Sequence, residues 1–179
     1  MKQTAIRMLS LLVCVLMLSV PALAEETAQT ETTPAEAPNV TEILNTYTGL
    51  DLTPYLGKTV LVNFFTEWCT YCMQEMPDIK AVSELYDEEA FQVVLVHPWD
   101  GEDASNTESV KERFGMQDMT FYEDEQGLVS TVVGVPGYPT SLFINPDGTM
   151  AAGAAFKLSL QDLTDQLDYM GVPRKADEQ

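Results

Sequence analysis

Two cysteines separated by two residues, Cys69 and Cys72, are the side chains of this 179-residue chain best suited to chemistry. A Cys-x-x-Cys pair between a strand pattern and a helical pattern is typical of a redox site. The free N–H groups of a helix start favour negative charge, and such a site can lower the pKa of a thiol from about 8.5 to roughly 3.5–7.5. We therefore expect Cys69 to be a thiolate that attacks disulfides and Cys72 to resolve the mixed disulfide.

The elements on either side of the pair are predicted to hold it in place. Residues 59–65 form an apolar run that is typical of a parallel strand covered on both faces. The residues after the cysteines show helical spacing, and we expect Pro77 to kink this helix because it interrupts the hydrogen-bond ladder. The apolar positions at this spacing are Met76, Ile79, Val82 and Tyr86.

The rest of the chain alternates between strand and helix patterns. Upstream, a helical turn is predicted near 43–44 and an edge strand at 50–52. Downstream, the predicted order is a strand at 91–96, a helix capped by Ser105 and Glu108 that ends at Gly115, a strand at 119–122, a helix at 128–133, a hairpin of strands 141–144 and 149–152, and a helix carrying Leu160, Leu163, Leu167 and Met170. This order predicts an α/β fold with a central mixed β-sheet flanked by helices.

The first 24 residues have the pattern of a secretory signal peptide. Lys2 and Arg7 precede an apolar run at 8–20, and the small residues at 22–24 form a cleavage motif. The run is short for a membrane span, although an uncleaved leader that anchors the chain is the alternative. Residues 25–39 contain no large apolar side chain and are predicted to be a flexible acidic linker, with the folded domain at 40–179. These patterns predict an extracytoplasmic protein.

Charge and composition narrow the class of function. Residues 25–179 carry seven basic and twenty-eight acidic side chains, a net charge of −21. Nucleic acid and anionic membranes are therefore not expected partners. Two cysteines so close in sequence cannot staple a fold, and one histidine leaves too few ligands for a structural zinc site. No metal or other cofactor is expected.

The chain resembles the thioredoxin superfamily, and within it the TlpA/ResA-like extracytoplasmic thiol-disulfide oxidoreductases. The matching runs are 56–64, 68–77 and 137–144, with Phe121, Asp124, Gly127, Asp147 and Gly148 in the family's order. The resemblance implies a thioredoxin-like fold at 40–179 and an exported oxidoreductase that acts as a disulfide reductase. Many relatives have proline before the second cysteine, whereas this chain has Thr70 and Tyr71 between the two.

The same resemblance implies roles for residues near the cysteines. It implies a cis bond between Tyr138 and Pro139, which would offer backbone groups to an incoming peptide, and a Trp68 side chain that covers the redox pair. Glu75 matches an active-site glutamate that would exchange the proton of disulfide chemistry. Its alternative is a solvated acid on the helix face. Cytoplasmic thioredoxins place this acid in the preceding strand, where this chain has Asn63.

Partners and rival functions follow from the same residues. The expected substrates are exported proteins with disulfides, such as apocytochrome c, a methionine sulfoxide reductase or another thiol protein. A membrane electron donor of the CcdA/DsbD type would restore the reduced pair, and the protein is expected to be a monomer. The alternatives are an oxidant that forms disulfides and, from another class, a Cu(I)-binding metallochaperone module that uses Cys69, Cys72 and His97.

Overall fold

A mixed five-stranded sheet places the cysteine-bearing segment after its central strand. The structure is a computed structural model that describes residues 38–99 and 107–176. The strands are β1 (Thr59–Phe64), β2 (Phe91–Pro98), β3 (Thr120–Asp124), β4 (Thr140–Ile144) and β5 (Met150–Ala154). Their order in the sheet is β3-β2-β1-β4-β5, with β1, β2 and β3 parallel and with β4 antiparallel to both β1 and β5.

Helices cover both faces of this sheet. They are α1 (Val40–Thr48), α2 (Thr70–Leu85), α3 (Thr107–Phe114), α4 (Leu128–Val133) and α5 (Leu160–Tyr169), with a 3-10 turn at Thr53–Tyr55. The side chains of α2, α3 and α5 share one apolar cluster, and those of α1 and α4 share the other. None of these helices in the described part of the chain is long and apolar enough to cross a membrane.

The central strand β1 contributes side chains to both clusters. Leu61 faces the α2 side, whereas Val62 and Phe64 face the α1 side, and all three are fully buried. This two-sided burial explains why the strand reads as a nearly continuous apolar run. Asn63 is the exception, because it is a fully buried polar side chain in the middle of that run.

The predicted α/β fold and mixed sheet are confirmed, and most elements lie within a few residues of their predicted positions. The predicted edge strand at 50–52 is wrong. Leu50 and Leu52 are buried, but Asp51 accepts a hydrogen bond from the backbone N–H of Thr53, and Pro54 lies in the 3-10 turn that follows. This local turn gives the backbone partners that a strand would have found in a neighbouring strand.

Some predicted features lie outside the described residues. These are the signal peptide at 1–24, nearly all of the predicted linker at 25–39, and Ser105 of the predicted capping box. Asn39, the last residue of the predicted linker, caps α1 by accepting a hydrogen bond from the N–H of Glu42. It also bridges to Thr149, next to a turn in which Gly148 has a φ of +86°. A Cβ at Gly148 would lie 2.9 Å from the Oδ1 atom of Asn39, so glycine is required there.

The end of α2 remote from the cysteines is fastened by Tyr86. The hydroxyl group of this fully buried residue has one hydrogen, which it shares between two acceptors, the backbone oxygen of Thr164 and the carboxylate of Asp168. Burial, together with hydrogen bonding to Asp168, raises the pKa of Tyr86 to about 12, so the hydroxyl remains a donor. Arg174 lies over the tyrosine ring and pairs with Asp168 at 2.6 Å, which ties the C-terminal segment to the same point.

We predict that Tyr86→Phe lowers the free energy of unfolding by about 1 kcal/mol, because it removes a buried hydrogen-bond donor but keeps the ring. Chemical denaturation of the oxidised protein measures this loss. Tyr169→Phe is the control, since Tyr169 is 88% exposed, and we expect it to leave the stability unchanged. An equal effect of the two substitutions would contradict the assignment.

Candidate functional site

Cys69 and Cys72 form a disulfide at the start of α2, with their Cα atoms 5.2 Å apart. Cys69 is the residue that caps the helix: its Sγ atom accepts a hydrogen bond from the backbone N–H of Cys72 at 3.1 Å. The sulfur therefore occupies the position where a helix N-terminus stabilises negative charge. Cys69 is 6% exposed and Cys72 is fully buried, so an incoming group can reach only the first of the two sulfurs.

Tyr138 and Pro139 lie at the same end of the sheet as the cysteines. Strand β4 begins directly after Pro139, and its first residue, Thr140, pairs with Phe64 at the end of β1. The Tyr138–Pro139 peptide bond is cis. The ring of Tyr138 lies edge-to-face against the ring of Trp68, with 6.1 Å between their centroids. An exposed aromatic surface thus joins the segment before the cysteines to the segment before β4, and Trp68 is 66% exposed within it.

Glu75 lies one helical turn beyond Cys72 and is fully buried, so the alternative of a solvated acid is wrong. Its Oε1 atom accepts a hydrogen bond from the N–H of Leu158 at 2.9 Å, and its Oε2 atom lies 3.4 Å from the amide nitrogen of Asn63. Burial raises the pKa of Glu75 to about 7, although both hydrogen bonds and the charge of Lys157 oppose that rise. A carboxyl group with such a pKa can give or take a proton at neutral pH.

Asn63 and Ser141 extend this buried polar group from α2 to the sheet. The side-chain amide nitrogen of Asn63 donates to the hydroxyl oxygen of Ser141 at 2.9 Å, across the paired strands β1 and β4. Both residues are fully buried. Among the described residues, the Oδ1 atom of Asn63 and the hydroxyl oxygen of Thr66 have no hydrogen-bond partner. Polar groups placed in this way are costly, and costly groups cluster at functional sites.

His97 lies near the end of β2, where its Nδ1 atom is 3.1 Å from a carboxylate oxygen of Glu123. Its ring contacts the ring of Phe65 edge-to-face. Within residues 38–99 and 107–176, no three histidine, cysteine, aspartate or glutamate side chains are grouped so that they could hold a metal ion. The three ligands named in the copper-binding alternative, Cys69, Cys72 and His97, do not form such a group in this part of the chain.

The structure brings the predicted site residues to one end of the sheet. Cys69 caps α2, Cys72 and Glu75 lie on its first turns, and the ring of Trp68 contacts that of Tyr138. Sequence reasoning missed the N–H of Leu158 and the hydroxyl of Ser141, which complete the surroundings of Glu75 and Asn63. These partners are 83 and 78 residues away in the chain, and no local pattern marks them. Only the strand register and the position of α5 bring them together.

Comparisons with known proteins place this geometry among thiol-disulfide proteins. Residues 34–152 match the model of the AhpC/TSA family. The thiol-disulfide oxidoreductase ResA of Geobacillus thermodenitrificans is 30% identical over 117 residues, which are 65% of this chain and 66% of that protein. The chain thus spans just under two thirds of the length of this curated relative.

Two solved structures have a similar fold. One is a secreted disulfide oxidoreductase of Mycobacterium tuberculosis, homologous to DsbE of E. coli, with 22% identity and a TM-score of 0.58 over 66% of this chain and 87% of that one. The other is a putative thiol:disulfide interchange protein DsbE of Chlorobium tepidum, with 27% identity and a TM-score of 0.56 over 66% of this chain and 84% of that one.

The raised pKa of Glu75 predicts how the stability of the oxidised protein changes with pH. Below pH 4.5 the folded and unfolded chains both keep the proton, so Glu75 adds no pH dependence. Between pH 4.5 and about 7 only the unfolded chain releases the proton, so the free energy of unfolding falls as the pH rises. The full loss is roughly 3 kcal/mol, from 1.36 kcal/mol per pKa unit.

We therefore expect Glu75→Gln to gain stability relative to the wild type as the pH rises from 4.5 to 7.5. Denaturant unfolding of both oxidised proteins across this range measures the difference. Glu84→Gln, on an exposed position of the same helix, is the control and should follow the pH dependence of the wild type. A constant difference between wild type and Glu75→Gln would show that Glu75 does not hold its proton in the fold.

Proposed function

Because the chain belongs to the AhpC/TSA family of the thioredoxin superfamily and is ResA-like, we propose that it is an exported disulfide reductase. The family and the bonded cysteine pair support thiol-disulfide oxidoreductase activity. The observation that carries the thiol-disulfide exchange is the position of Cys69, whose sulfur caps α2 and accepts the N–H of Cys72. The reducing direction depends instead on the acidic charge around the pair, which limits how far this thiolate is stabilised. A sulfur held in this way is stabilised as a thiolate, which is the form that attacks disulfides.

The reaction transfers two electrons from the reduced pair to the substrate. The thiolate of Cys69 attacks one sulfur of a substrate disulfide, forms a mixed disulfide and releases the other substrate sulfur as a thiolate. Cys72 then loses its proton and attacks the sulfur of Cys69. This step re-forms the Cys69–Cys72 disulfide and releases the second substrate thiolate. The order follows from burial, because Cys72 is fully buried and can reach only its neighbour.

Glu75 is the group that takes the proton of Cys72 in this scheme. It lies three residues beyond Cys72, so the two side chains share one face of α2. Its pKa of about 7 allows it to accept a proton during oxidation of the pair and to return one during reduction. The N–H of Leu158 and the amide of Asn63 keep the carboxyl group in place between these two events.

Trp68, Tyr138 and Pro139 form the surface on which the substrate lies. Trp68 is exposed and flat, and Tyr138 lies against it before the buried Pro139. An extended peptide at this end of the sheet would meet backbone groups of the segment before β4 and the sulfur of Cys69 together. Exported proteins with disulfides, such as apocytochrome c, a methionine sulfoxide reductase or another thiol protein, are the substrates that we propose.

The reducing direction is supported by the charge around the cysteines. An oxidant such as DsbA is strong because its reduced, thiolate form is highly stabilised. Here the ionisable residue one turn away on α2 is an acid, Glu75, and residues 25–179 carry a net charge of −21. Negative surroundings disfavour the thiolate and so favour the disulfide form, which makes the reduced pair a better electron donor. A membrane donor of the CcdA/DsbD type would restore it.

An extracytoplasmic location is supported by the pattern of residues 1–24 and by the relatives. Among the proteins that this chain resembles are ResA of Geobacillus thermodenitrificans and a secreted protein of M. tuberculosis. In such a compartment the pair needs a supply of electrons, since disulfides persist there. If the leader is cleaved, the acidic segment at 25–39 would be the N-terminus of the exported protein. If the leader stays in place, the same segment would link it to the folded domain.

The reduction potential of the Cys69–Cys72 pair decides the direction of electron flow. We expect a value below about −250 mV, whereas a value near −120 mV would identify an oxidant that forms disulfides. Equilibration with glutathione or dithiothreitol buffers, followed by alkylation of free thiols, measures it. The wild type and Glu75→Gln should be compared, because Gln removes the nearby negative charge and is expected to raise the potential.

The substrate is best identified by trapping the mixed disulfide. We expect Cys72→Ser, expressed in the native host, to accumulate adducts through Cys69, because the second attack cannot occur. Purification under non-reducing conditions followed by mass spectrometry identifies the partners. Cys69→Ser is the matched control and should capture far less. Equal capture by the two variants, or capture by neither, would contradict the proposed order of attack.

A further inference from the structure

A buried amide in the central strand contacts the acid of α2. The side chain of Asn63 extends from β1 toward α2, and its amide nitrogen lies between the hydroxyl oxygen of Ser141, at 2.9 Å, and a carboxylate oxygen of Glu75, at 3.4 Å. All three residues are fully buried. The nearly continuous apolar run of β1 is interrupted only here, so the amide is there at the cost of apolar packing.

Ser141 determines which way this amide points. Its hydroxyl group receives one of the two amide hydrogens of Asn63, and the strand pairing of Asn63 with Ser141 fixes their separation. The second amide hydrogen is then directed at Glu75. The carbonyl oxygen of Asn63 has no hydrogen-bond partner among the described residues. The amide thus satisfies its donors and leaves its acceptor unpaired, as expected if its purpose is to donate to a carboxylate.

We propose that Asn63 is a positioning residue for Glu75: Ser141 orients its amide, and the amide holds the carboxylate form of Glu75 where it can accept the proton of Cys72. This inference rests on the proposed function, because it requires proton exchange between Glu75 and Cys72. It adds two residues to the machinery, Asn63 and Ser141, neither of which touches the substrate or the sulfurs in the scheme above.

Other groups also act on Glu75, and they define what Asn63 adds. On α2, the charge of Asp78 raises the pKa of Glu75. Cys72 lies one turn before Glu75 on the same helix. In the segment before α5, the charge of Lys157 and the N–H of Leu158 both lower the pKa of Glu75. From the sheet, Asn63 is the group that contacts the carboxylate. Asn63 is a neutral donor, and its hydrogen bond lowers the pKa of Glu75, which burial raises.

An acid at position 63 could not serve in the same way. Two carboxyl groups about 3.4 Å apart cannot both ionise, so one would keep its proton well above neutral pH. An amide of the same shape has no charge to compete with Glu75 and can only donate or accept hydrogen bonds. With the acid on the helix, the strand position therefore requires a neutral donor.

The test follows the titration of Glu75 directly in the full-length oxidised protein. The carboxyl carbon resonances of glutamate-labelled protein are recorded from pH 4 to 9, and Glu75→Gln identifies the signal. We expect Asn63→Leu to raise the midpoint by about one unit and Ser141→Ala to raise it less. Ser83→Ala is the control, because it removes a hydroxyl group of α2 that bonds to the backbone oxygen of Lys80 rather than to Glu75, and it should leave the midpoint of Glu75 unchanged. An unchanged or lowered midpoint in both Asn63→Leu and Ser141→Ala would overturn the proposal.

A second measurement links this shift to the chemistry. Cys69 is converted to a mixed disulfide with thionitrobenzoate, and the release of thionitrobenzoate by Cys72 is followed against pH. A rise of one unit in the pKa of Glu75 should slow this release at pH 7 about fivefold, because the ionised fraction falls from one half to about one tenth. The pH profile should move with the midpoint measured by NMR.

The proposed role of Glu75 and the proposed role of Asn63 can be contradicted separately. In the Glu75→Gln background, Asn63→Leu should cause no further change in the pH profile, because its effect passes through Glu75. If Glu75→Gln leaves the profile of the wild type unchanged, the proposed role of Glu75 is wrong and this inference falls with it. If Glu75→Gln changes the profile but Asn63→Leu does not, only the assignment of Asn63 is overturned. If Asn63→Leu does not fold, Ser141→Ala decides by the presence or absence of its smaller shift.

Discussion

The hydrogen bond from the N–H of Cys72 to the sulfur of Cys69 is the interaction on which the site depends. Every helix start leaves N–H groups without partners, and most proteins satisfy them with a side-chain oxygen. In this chain the Sγ atom of Cys69 takes that place. The same contact therefore caps the helix and, under the proposed function, stabilises the thiolate of Cys69. Strand β1 ends shortly before Cys69 and so places its sulfur at the start of α2, and Tyr86 holds the other end of the helix through its hydrogen bond to Thr164.

The site also contains an energetic conflict. Full burial of Glu75 works against its ionisation, and the unpaired oxygen of Asn63 adds a further cost in the same region. The apolar packing of α2, α3 and α5 around the site provides the stability that offsets this cost. Under the proposed function, this cost is a requirement of proton exchange at Glu75 rather than of the fold.

Sequence reasoning predicted the fold well because its signals are local. The apolar run of β1, the spacing of Met76, Ile79 and Val82, and the turn before β5 each appear within a few residues, and each was found close to its predicted place. The segment at 50–52 was misread because Leu50 and Leu52 are buried without belonging to a strand. Alternating apolar residues indicate which side chains are buried. They do not show that the backbone forms the hydrogen bonds of a strand.

The candidate site could be predicted only in part for the same reason. The cysteine pair and Glu75 lie within seven residues, so their spacing on a helix is visible in the sequence. The partners that determine what Glu75 can do, Ser141 through Asn63 and the N–H of Leu158, come from distant parts of the chain. Their arrival depends on the register between β1 and β4 and on the position of the segment before α5. These are properties of the packed tertiary structure.

The contacts of Asn39 with the turn before β5 show at which end of the sheet the described chain begins. The pairing of Val60 with Ile144 places that turn at the start of β1, whereas the sulfurs follow the end of β1. Asn39 therefore lies at the end of the sheet opposite the cysteine pair. Under the proposed function, a substrate that docks on the cysteine pair would meet the end of the domain remote from Asn39.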